Sequence, residues 1–449
     1  MNASPSLRSA LVALALTAGA WGCAAPRPVP AATASAPAPA PGSGATLHIS
    51  PEKVLAPVNR EVLVGFNIAN MMQIADFAED LQTIGAAHFR FPGGNIGDEN
   101  DLTEHALDFL AANLGLLKSQ APVMIQTRVF QGGMSKDPAR NRPEDAADAV
   151  RWARARGIKV PIWEIGNEPD LFAVTRGDAS WTTEKYCEVF RAQAKAIKAV
   201  DPQARVAGPA VSGAVPVRDV FLEKFVEKCG DVLDVLTWHI YPTDGTMDDA
   251  RAFDTASQVD DTVARFKALL ADPKRNPLGH GRKVTLGVTE YALSWYTNRA
   301  RHLADIQNAL WSAEVALRLD EQGAEVAHYF AFQGIVNHGL LDMSGIRRPT
   351  YYGFGLLGRL EGQLVAASAS DPLLWTHAAI HGKQLDVLVT NRSPAARALA
   401  TAVPGYALER AEWFDAAIAD KEQPLAQARP APSLSLGPNA MMHLVYRAQ

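Results

Sequence analysis

Trp163-Glu164-Ile165-Gly166-Asn167-Glu168-Pro169-Asp170 is the stretch from which the fold is read. The mostly apolar run from Val160 to Ile165 leads into it as a buried strand, and Gly166 and Pro169 end the pairing and open a loop. Two carboxylates and an amide stand at that strand end, where a rigid sheet aims them. Burial raises the pKa of a carboxylic acid, which suits a general acid that protonates a leaving group near neutral pH. A solvated polar strand end would read the same way from so short a motif. A second carboxylate far downstream adds weight: Val284 to Tyr291 (VTLGVTEY) is another buried-looking strand ending in the lone Glu290 beside an aromatic. Two strands of one barrel can deliver two carboxylates to one bond, the requirement of glycoside hydrolysis.

Working outward, apolar strand-like runs alternate with amphipathic helical ones. The strands expected are 62–69, 86–91, 123–129, 160–165, 205–211, 235–241, 284–291 and 326–333. The helices expected between and after them are 74–84, 104–117, 143–156, 183–200, 217–228, 255–270 and 302–322. Pro143 followed by Glu144 and Asp145 opens its helix favourably, with acids at the positive end of the dipole. Eight strand–helix units over about 290 residues predict an α/β fold, a (β/α)8 TIM barrel, whose usual length is ~250 residues. A doubly wound sheet would have to accommodate the same eightfold regularity. After Tyr352 short alternating runs such as 385–390, 412–415 and 441–446 appear between Gly, Pro and Asn turns, predicting a C-terminal antiparallel β-sandwich.

The 449 residues are 48% hydrophobic and 20% charged with a net charge of −5, which supplies ample core and argues against nucleic acid or an anionic membrane as the main partner. At the N-terminus, Arg8, the Ala/Leu-rich run from Ala10 to Ala20 and Trp21-Gly22-Cys23 read as a secretory signal over residues 1–23. Its end resembles a bacterial lipobox with Cys23 to be lipidated, although Ala20 and Trp21 depart from the usual residues. Plain secretion with cleavage near Ala24-Ala25 is the alternative. Residues 24–45 are almost wholly Ala, Pro, Ser, Gly and Thr and read as an extended tether. The expected location is the cell envelope or periplasm, or outside the cell.

Asn167-Glu168-Pro169 at one strand end, with Glu290 three strands later, resembles the retaining glycoside hydrolases of clan A. Arg90-Phe91-Pro92-Gly93-Gly94-Asn95 and Gly166-Asn167-Glu168 are most similar to family 51, the arabinofuranosidases, with families 39 and 79 (xylosidases and glucuronidases) close behind. Family 51 usually has Glu-Trp-Asn at the nucleophile, whereas this chain has Glu290-Tyr291-Ala292. The resemblance implies Glu168 as acid/base, Glu290 as nucleophile, a bond from Tyr241 to the nucleophile, and Asn167 donating to the hydroxyl next to the anomeric carbon. It also implies that Leu47-His48-Ile49 pairs into the C-terminal sheet, so that residues 46–57 and 353–449 form one domain around a barrel of residues 58–352.

The residues carry readings of their own. Glu164 alternates onto the face of Glu168 but deeper, and is its rival as the acid. Arg90 interrupts an apolar strand and wants a carboxylate: Glu290, holding a nucleophile ionised, or Glu164 in a structural pair. Gly93-Gly94-Asn95 bends the backbone where a ligand or a neighbouring loop comes close. His239 and Tyr241 share one strand face, and His239 is expected to line the sugar site. Trp295, Tyr296, Phe332 and Gln333 stand at or after the last strand ends, where aromatics stack on sugar faces or simply pack. Arg128 would serve a uronate as a cation, or pair with a loop acid. The run Asp98-Glu99-Asn100-Asp101 lacks the Gly and terminal Glu of an EF-hand loop and reads as a solvated acidic loop. No cluster has zinc spacing, no Gly-x-Ser-x-Gly elbow occurs, and neither metal nor cofactor is implied.

The leading expectation is a retaining glycosidase with Glu168 and Glu290 as its pair and Asn167, Arg90, Asn95, His239, Tyr241, Trp295 and Gln333 binding substrate. Arabinofuranosides are the first substrates, with xylosides or glucuronides as alternatives and a non-catalytic glycan-binding barrel as the competing class. Cys187 falls early in one expected helix and Cys229 at the end of the next. Level helices would hold them roughly 20 Å apart at 1.5 Å per residue, beyond the ~7 Å a disulfide spans. Both thiols are therefore expected free and buried.

Overall fold

The structure is a computed structural model that describes residues 44–69, 72–130, 141–213, 216–299, 301–334 and 337–449, with the side chains of 216–219 left aside. The signal segment, Cys23 and nearly all of the tether lie outside the described residues. Eight parallel strands close into a barrel: β2 (Gly65–Asn67), β3 (His88–Phe91), β4 (Val123–Thr127), β5 (Ile162–Ile165), β6 (Arg205–Val211), β7 (Val235–Ile240), β8 (Thr285–Tyr291) and β9 (Val326–Tyr329). Preceding them is β1 (Ala45–Pro57).

The helices start where capping groups stand. Thr103 accepts from the Ala106 N–H to open helix Glu104–Leu117, and Thr182 accepts from Lys185 to open Thr183–Val200. Helix Ile306–Glu321 starts later than the periodicity alone suggests, because Asp305 is its cap and accepts from the Asn308 N–H. The first strand is also shorter than expected. Asn59 caps a helical turn over Arg60–Leu63, and the strand opens only at Gly65, where a Cβ would lie 2.1 Å from the Ala327 carbonyl of β9. No described helix is long and apolar enough to cross a membrane.

Period-two alternation sorts the barrel interior into layers. Met124, Ile162, Ala207, Val235 and Val326 form a small apolar plug. Two residues further along, β4, β5, β7 and β9 turn inward with Gln126, Glu164, Thr237 and His328, all fully buried. The apolar plug thus supports a polar layer directly beneath the carboxyl ends of the strands.

The remaining strands are β10 (Gln363–Ala369), β11 (Leu374–His381), β12 (Gln384–Asn391), β13 (Arg397–Ala400), β14 (Tyr406–Phe414), β15 (Ala426–Ala428), β16 (Ser433–Leu436) and β17 (Ala440–Ala448). With β1 they form a nine-stranded sheet in the order β15-β14-β17-β12-β11-β10-β1-β13-β16. Leu47, His48 and Ile49 do pair into it, opposite Ala369, Ser368 and Ala367. Neighbours are antiparallel except β1 with β13, which run parallel. β1 is shared by two leaves whose inner faces, Leu399 and Leu436 on one and Val365, Val387 and Leu444 on the other, close on one apolar core.

The cysteines depart from expectation: Cys187 and Cys229 form a disulfide with their Cα atoms 6.0 Å apart. The helices are parallel but not level. Phe225 packs on Tyr186 and Phe190, and Arg191 donates to the Lys228 carbonyl, so the last turn of Pro216–Cys229 lies beside the first turns of Thr183–Val200. The offset assumed for level helices is cancelled by this stagger.

Candidate active site

Arg90 is the hub of the polar layer and is fully buried. Its Nε lies 2.5 Å from Glu164 Oε2, and Nη1 donates to Glu290 Oε1 at 2.8 Å and to Asn67 Oδ1 at 3.0 Å. Nη2 donates to Asn167 Oδ1 at 2.8 Å. Both partners considered for Arg90 are therefore bound at once. One guanidinium fork joins the ends of four strands, a task its planar geometry suits. Glu164, the rival acid, is spent on this ion pair in the barrel interior.

Glu168 follows β5 through a bend that the local sequence enforces. Gly166 has φ 84°, and a Cβ there would meet Val129 at 2.6 Å. Glu168 itself is left-handed (φ 46°, ψ 47°), a conformation costly for a residue with a side chain. Its N–H donates to the Ala210 carbonyl at 3.0 Å, and Pro169 starts a 3-10 turn beyond it.

Across the mouth, the β7–β8 ladder shifts register between Trp238 and His239, so that His239 stands opposite Glu290. His239 Nδ1 is 2.9 Å from Glu168 Oε1 and 3.7 Å from Glu290 Oε2. The Tyr241 hydroxyl donates to Glu290 Oε2 at 2.8 Å. The structure thus brings together Glu168, Glu290, Asn167, Arg90, His239 and Tyr241.

The two carboxyls are driven apart electrostatically. Burial pushes Glu168 above the ordinary carboxylate range, and its bond to His239 only partly opposes this. Burial acts on Glu290 in the same direction, but His239, Arg90 and the Tyr241 hydroxyl together outweigh it and hold Glu290 below the ordinary value. Burial depresses His239, yet the two glutamates more than compensate and raise it. One carboxyl is poised as an acid and the other as an anion, the division of labour expected of an acid and a nucleophile.

Other expected residues sit further out. Asn95 is exposed and accepts from Arg176 Nη2 at 3.2 Å. The glycine before it makes the close approach instead, since a Cβ on Gly94 would lie 3.0 Å from Glu290 Oε1. Gln333 is buried and its amide donates to the Asp342 and Met343 carbonyls. Phe332 is buried, whereas Trp295 and Tyr296 are exposed with ring centroids 5.6 Å apart. Among the described residues no hydrogen bond joins Asn95, Trp295 or Gln333 to either glutamate. Arg128 pairs with the loop acid Asp101 at 2.7 Å. The acidic run is not solvated: Glu99 pairs with Arg176, and Asp98 is fully buried.

Asn67 is the site residue not singled out from the sequence. Besides receiving Arg90, it donates to the Thr289 and His328 carbonyls, locking β2 to β8 and β9. Its signal was a polar residue closing an apolar strand, the signal that exposed both glutamates. Oxygens of Glu168 and Glu290 and a nitrogen of His239 lie within 4.8 Å of one another, close enough to suggest metal ligands. Both Glu290 oxygens, however, are taken by Arg90 and Tyr241, and the guanidinium charge opposes a cation there.

A closed parallel barrel with an acid at its fourth strand end and an ionised carboxylate at its seventh has the arrangement of the glycoside hydrolases. Residues 157–403 match Glycosyl hydrolases family 39, and the chain belongs to that family. A Beta-xylosidase of Caldicellulosiruptor saccharolyticus is 26% identical over 250 residues, 52% of this chain and 48% of that one. A Heparanase of Rattus norvegicus is 28% identical over 224 residues, 49% of this chain and 40% of that one. The chain spans about half the length, or less, of these curated relatives. The structure of an alpha-L-arabinofuranosidase from Thermotoga maritima superposes with a TM-score of 0.68 at 16% identity, covering 89% of this chain and 99% of that one. For a monomeric beta-xylosidase from Caulobacter crescentus CB15 the TM-score is 0.63 at 16% identity, covering 90% and 99%. At such identities the likeness is one of fold. Family 39 is among the three families that the motifs resemble.

Proposed function

We propose that this chain is a retaining glycosidase that acts on neutral glycosides, xylosides first, by double displacement. The observation that carries this reading is that both strand-end carboxyls meet in one site, an oxygen of each within 4.8 Å of the other, with Glu290 bound by Arg90 and Tyr241 and Glu168 by His239. Inverting enzymes hold their carboxyls ~6.5–9.5 Å apart to admit a water, whereas retaining enzymes hold them ~5–5.5 Å apart. Glu168 gives its proton to the leaving oxygen as a Glu290 oxygen bonds the anomeric carbon. In the second half Glu168 takes a proton from water, whose oxygen displaces Glu290 and frees the sugar with its configuration retained.

The surrounding groups fit these steps. The Asn167 Nδ2 is buried without a partner, as a donor waiting for a sugar hydroxyl would be. Arg90 and Tyr241 hold the nucleophile ionised before attack and keep its leaving oxygen bonded afterwards. Asn95, Trp295 and Gln333 are assigned to the wider substrate site, beyond the cleaved bond. Xylosides rank before arabinofuranosides because the family match and two relatives named Beta-xylosidase support them. A uronate is disfavoured because Arg128, its candidate cation, is tied to Asp101.

Screening nitrophenyl xyloside, arabinofuranoside, glucoside and glucuronide should find the xyloside cleaved fastest. Glu290→Ala should abolish turnover, with azide restoring it as the glycosyl azide of opposite anomeric configuration. Azide rescue of Glu168→Ala should give the retained one. Near-normal rates in both variants would put the chemistry elsewhere.

We further propose that residues 1–23 export the chain and that lipidated Cys23, followed by the tether, attaches it to a membrane. The composition of that segment supports this. Labelled palmitate that fails to enter the protein would exclude lipidation.

A further inference from the structure

Arg90 has two carboxylate partners, and one of them takes no part in the displacements. Its Nε lies 2.5 Å from Glu164 Oε2, and its Nη1 lies 2.8 Å from Glu290 Oε1. Arg90 and Glu164 have no exposed side-chain surface, whereas Glu290 remains partly accessible.

Packing alone gives Glu164 no reason to be an acid. Its Oε2 is bonded to Arg90, but its Oε1 is buried without a hydrogen-bond partner. A buried ion pair contributes little net stability once both charges are desolvated, and an uncharged side chain of similar volume commonly serves as well. A carboxylate with one oxygen unsatisfied costs more still.

The charge balance of the reaction supplies the reason. In the free enzyme the guanidinium is shared by two anions. Glu290 is also faced by His239, by the Tyr241 hydroxyl and by Glu168, and Glu164 by the Tyr186 hydroxyl. In the first displacement a Glu290 lone pair forms the bond to the anomeric carbon, the bond to the leaving oxygen breaks, and that oxygen takes the Glu168 proton. Glu290 is then a neutral ester and Glu168 an anion. Arg90 has lost one of its two counter-charges while still fully buried, and an unpaired charge there would be strongly unfavourable. The new charge sits on Glu168, which is bonded to His239. Among the described residues, Glu164 is the one carboxylate that stays on the guanidinium throughout.

We propose that Glu164 is a positioning residue of the reaction, the standing counter-ion of Arg90: it shares the guanidinium with Glu290 in the free enzyme and neutralises it alone in the covalent intermediate. By drawing off part of the guanidinium's field, it keeps Glu290 more basic, and so a better nucleophile, than an undivided Arg90 would allow. By staying paired, it stabilises the intermediate. Both effects favour formation of the intermediate over its breakdown. The inference rests on the glycosidase reading and deepens it.

The test separates the two half-reactions in the full chain. A dinitrophenyl 2-deoxy-2-fluoro glycoside traps the intermediate, so inactivation reads its formation and recovery of activity reads its breakdown. Glu164→Gln should slow inactivation about tenfold or more and leave recovery unslowed or faster, because a charge at this range moves a carboxylate by ~1–3 pKa units. Glu164→Asp keeps the charge one methylene further off. It should fall between, and it gives the same test by itself if Glu164→Gln does not fold. Equal slowing of both steps (the mark of a merely structural role), no change in either, or a Glu164→Asp chain as slow as Glu164→Gln would each overturn the proposal. The Glu290 carboxyl, followed by its carbon resonance, should titrate about one pH unit or more lower in Glu164→Gln than in the wild type, and an unmoved titration would overturn the proposal too. That measurement needs no turnover. If the wild-type chain neither cleaves a glycoside nor is inactivated, the glycosidase reading fails, while the titration still decides whether Glu164 tunes Glu290.

Discussion

The disulfide between Cys187 and Cys229 should be a measurable part of the stability of the barrel. It joins the helix after β5, the strand that leads to Glu168, to the helix after β6, and the cysteines are 42 residues apart in sequence. Cross-linking a loop of that length removes about 13 cal/mol/K of chain entropy from the unfolded state, or about 3.9 kcal/mol at 25 °C. For a cooperative unit of roughly 400 residues the unfolding entropy is on the order of 0.85 kcal/mol/K, so cleaving the bridge should lower Tm by about 4–5 °C. The assay is thermal unfolding followed by circular dichroism with and without a reductant, which has no other bond to act on because Cys23 is the only remaining cysteine. Thiol titration of the denatured, unreduced chain should find at most one thiol, that of Cys23, and two more after reduction. Equal transition temperatures in both states, or Cys187 and Cys229 titrating without reduction, would refute the bridge and the helix stagger behind it.

Arg90→Met should destabilise the protein by about 3–5 kcal/mol in urea unfolding, because it strands the buried charges of Glu164 and Glu290; an unchanged midpoint would remove Arg90 from its role as hub. The pH–rate profile should be bell-shaped, the acid limb set by the depressed Glu290 and the alkaline limb by the raised Glu168. Glu168→Gln should abolish the alkaline limb and slow poor leaving groups ~10²–10⁴-fold, and an alkaline limb that persists would assign it to another group. Where helix Ile306–Glu321 meets β11, His377 lies 2.8 Å from Glu314 and 2.7 Å from Glu321, with Arg318 also bonded to Glu314. Burial lowers the His377 pKa, but the two glutamates outweigh it and raise it to about 10. A histidine raised on folding stabilises fully below its unfolded pKa of ~6.5, and that contribution, on the order of 5 kcal/mol, is lost as pH rises to about 10. Urea midpoints measured across that window should fall in the wild type and flatten in His377→Gln.

Much of the barrel and most of the centre of its site were legible because the relevant signals are local. Apolar strand-like runs alternating with amphipathic helical patterns need no long-range information to be recognised. All eight parallel strands also end on the same face, so Glu168, Glu290 and His239 could be assigned to one site from the ends of their runs, and Tyr241 through the family resemblance. Asn67 carried the same strand-end signal, but the short β2 that holds it was obscured by the helical turn at Arg60–Leu63.

What only the tertiary structure decided depends on distances between distant segments. Sequence left Arg90 a choice between Glu164 and Glu290, and the closed barrel satisfies both because it brings four strand ends within reach of one guanidinium. Asp98 and its neighbours read as a solvated loop, since nothing local reveals that Arg176 and Arg128 fold over them. The cysteines failed for the same reason. Helix length and direction are written in periodicity, but axial stagger is set by side-chain packing between helices, here Phe225 against Tyr186 and Phe190. Local propensity determines which elements form, whereas their register against one another is a property of the packed whole.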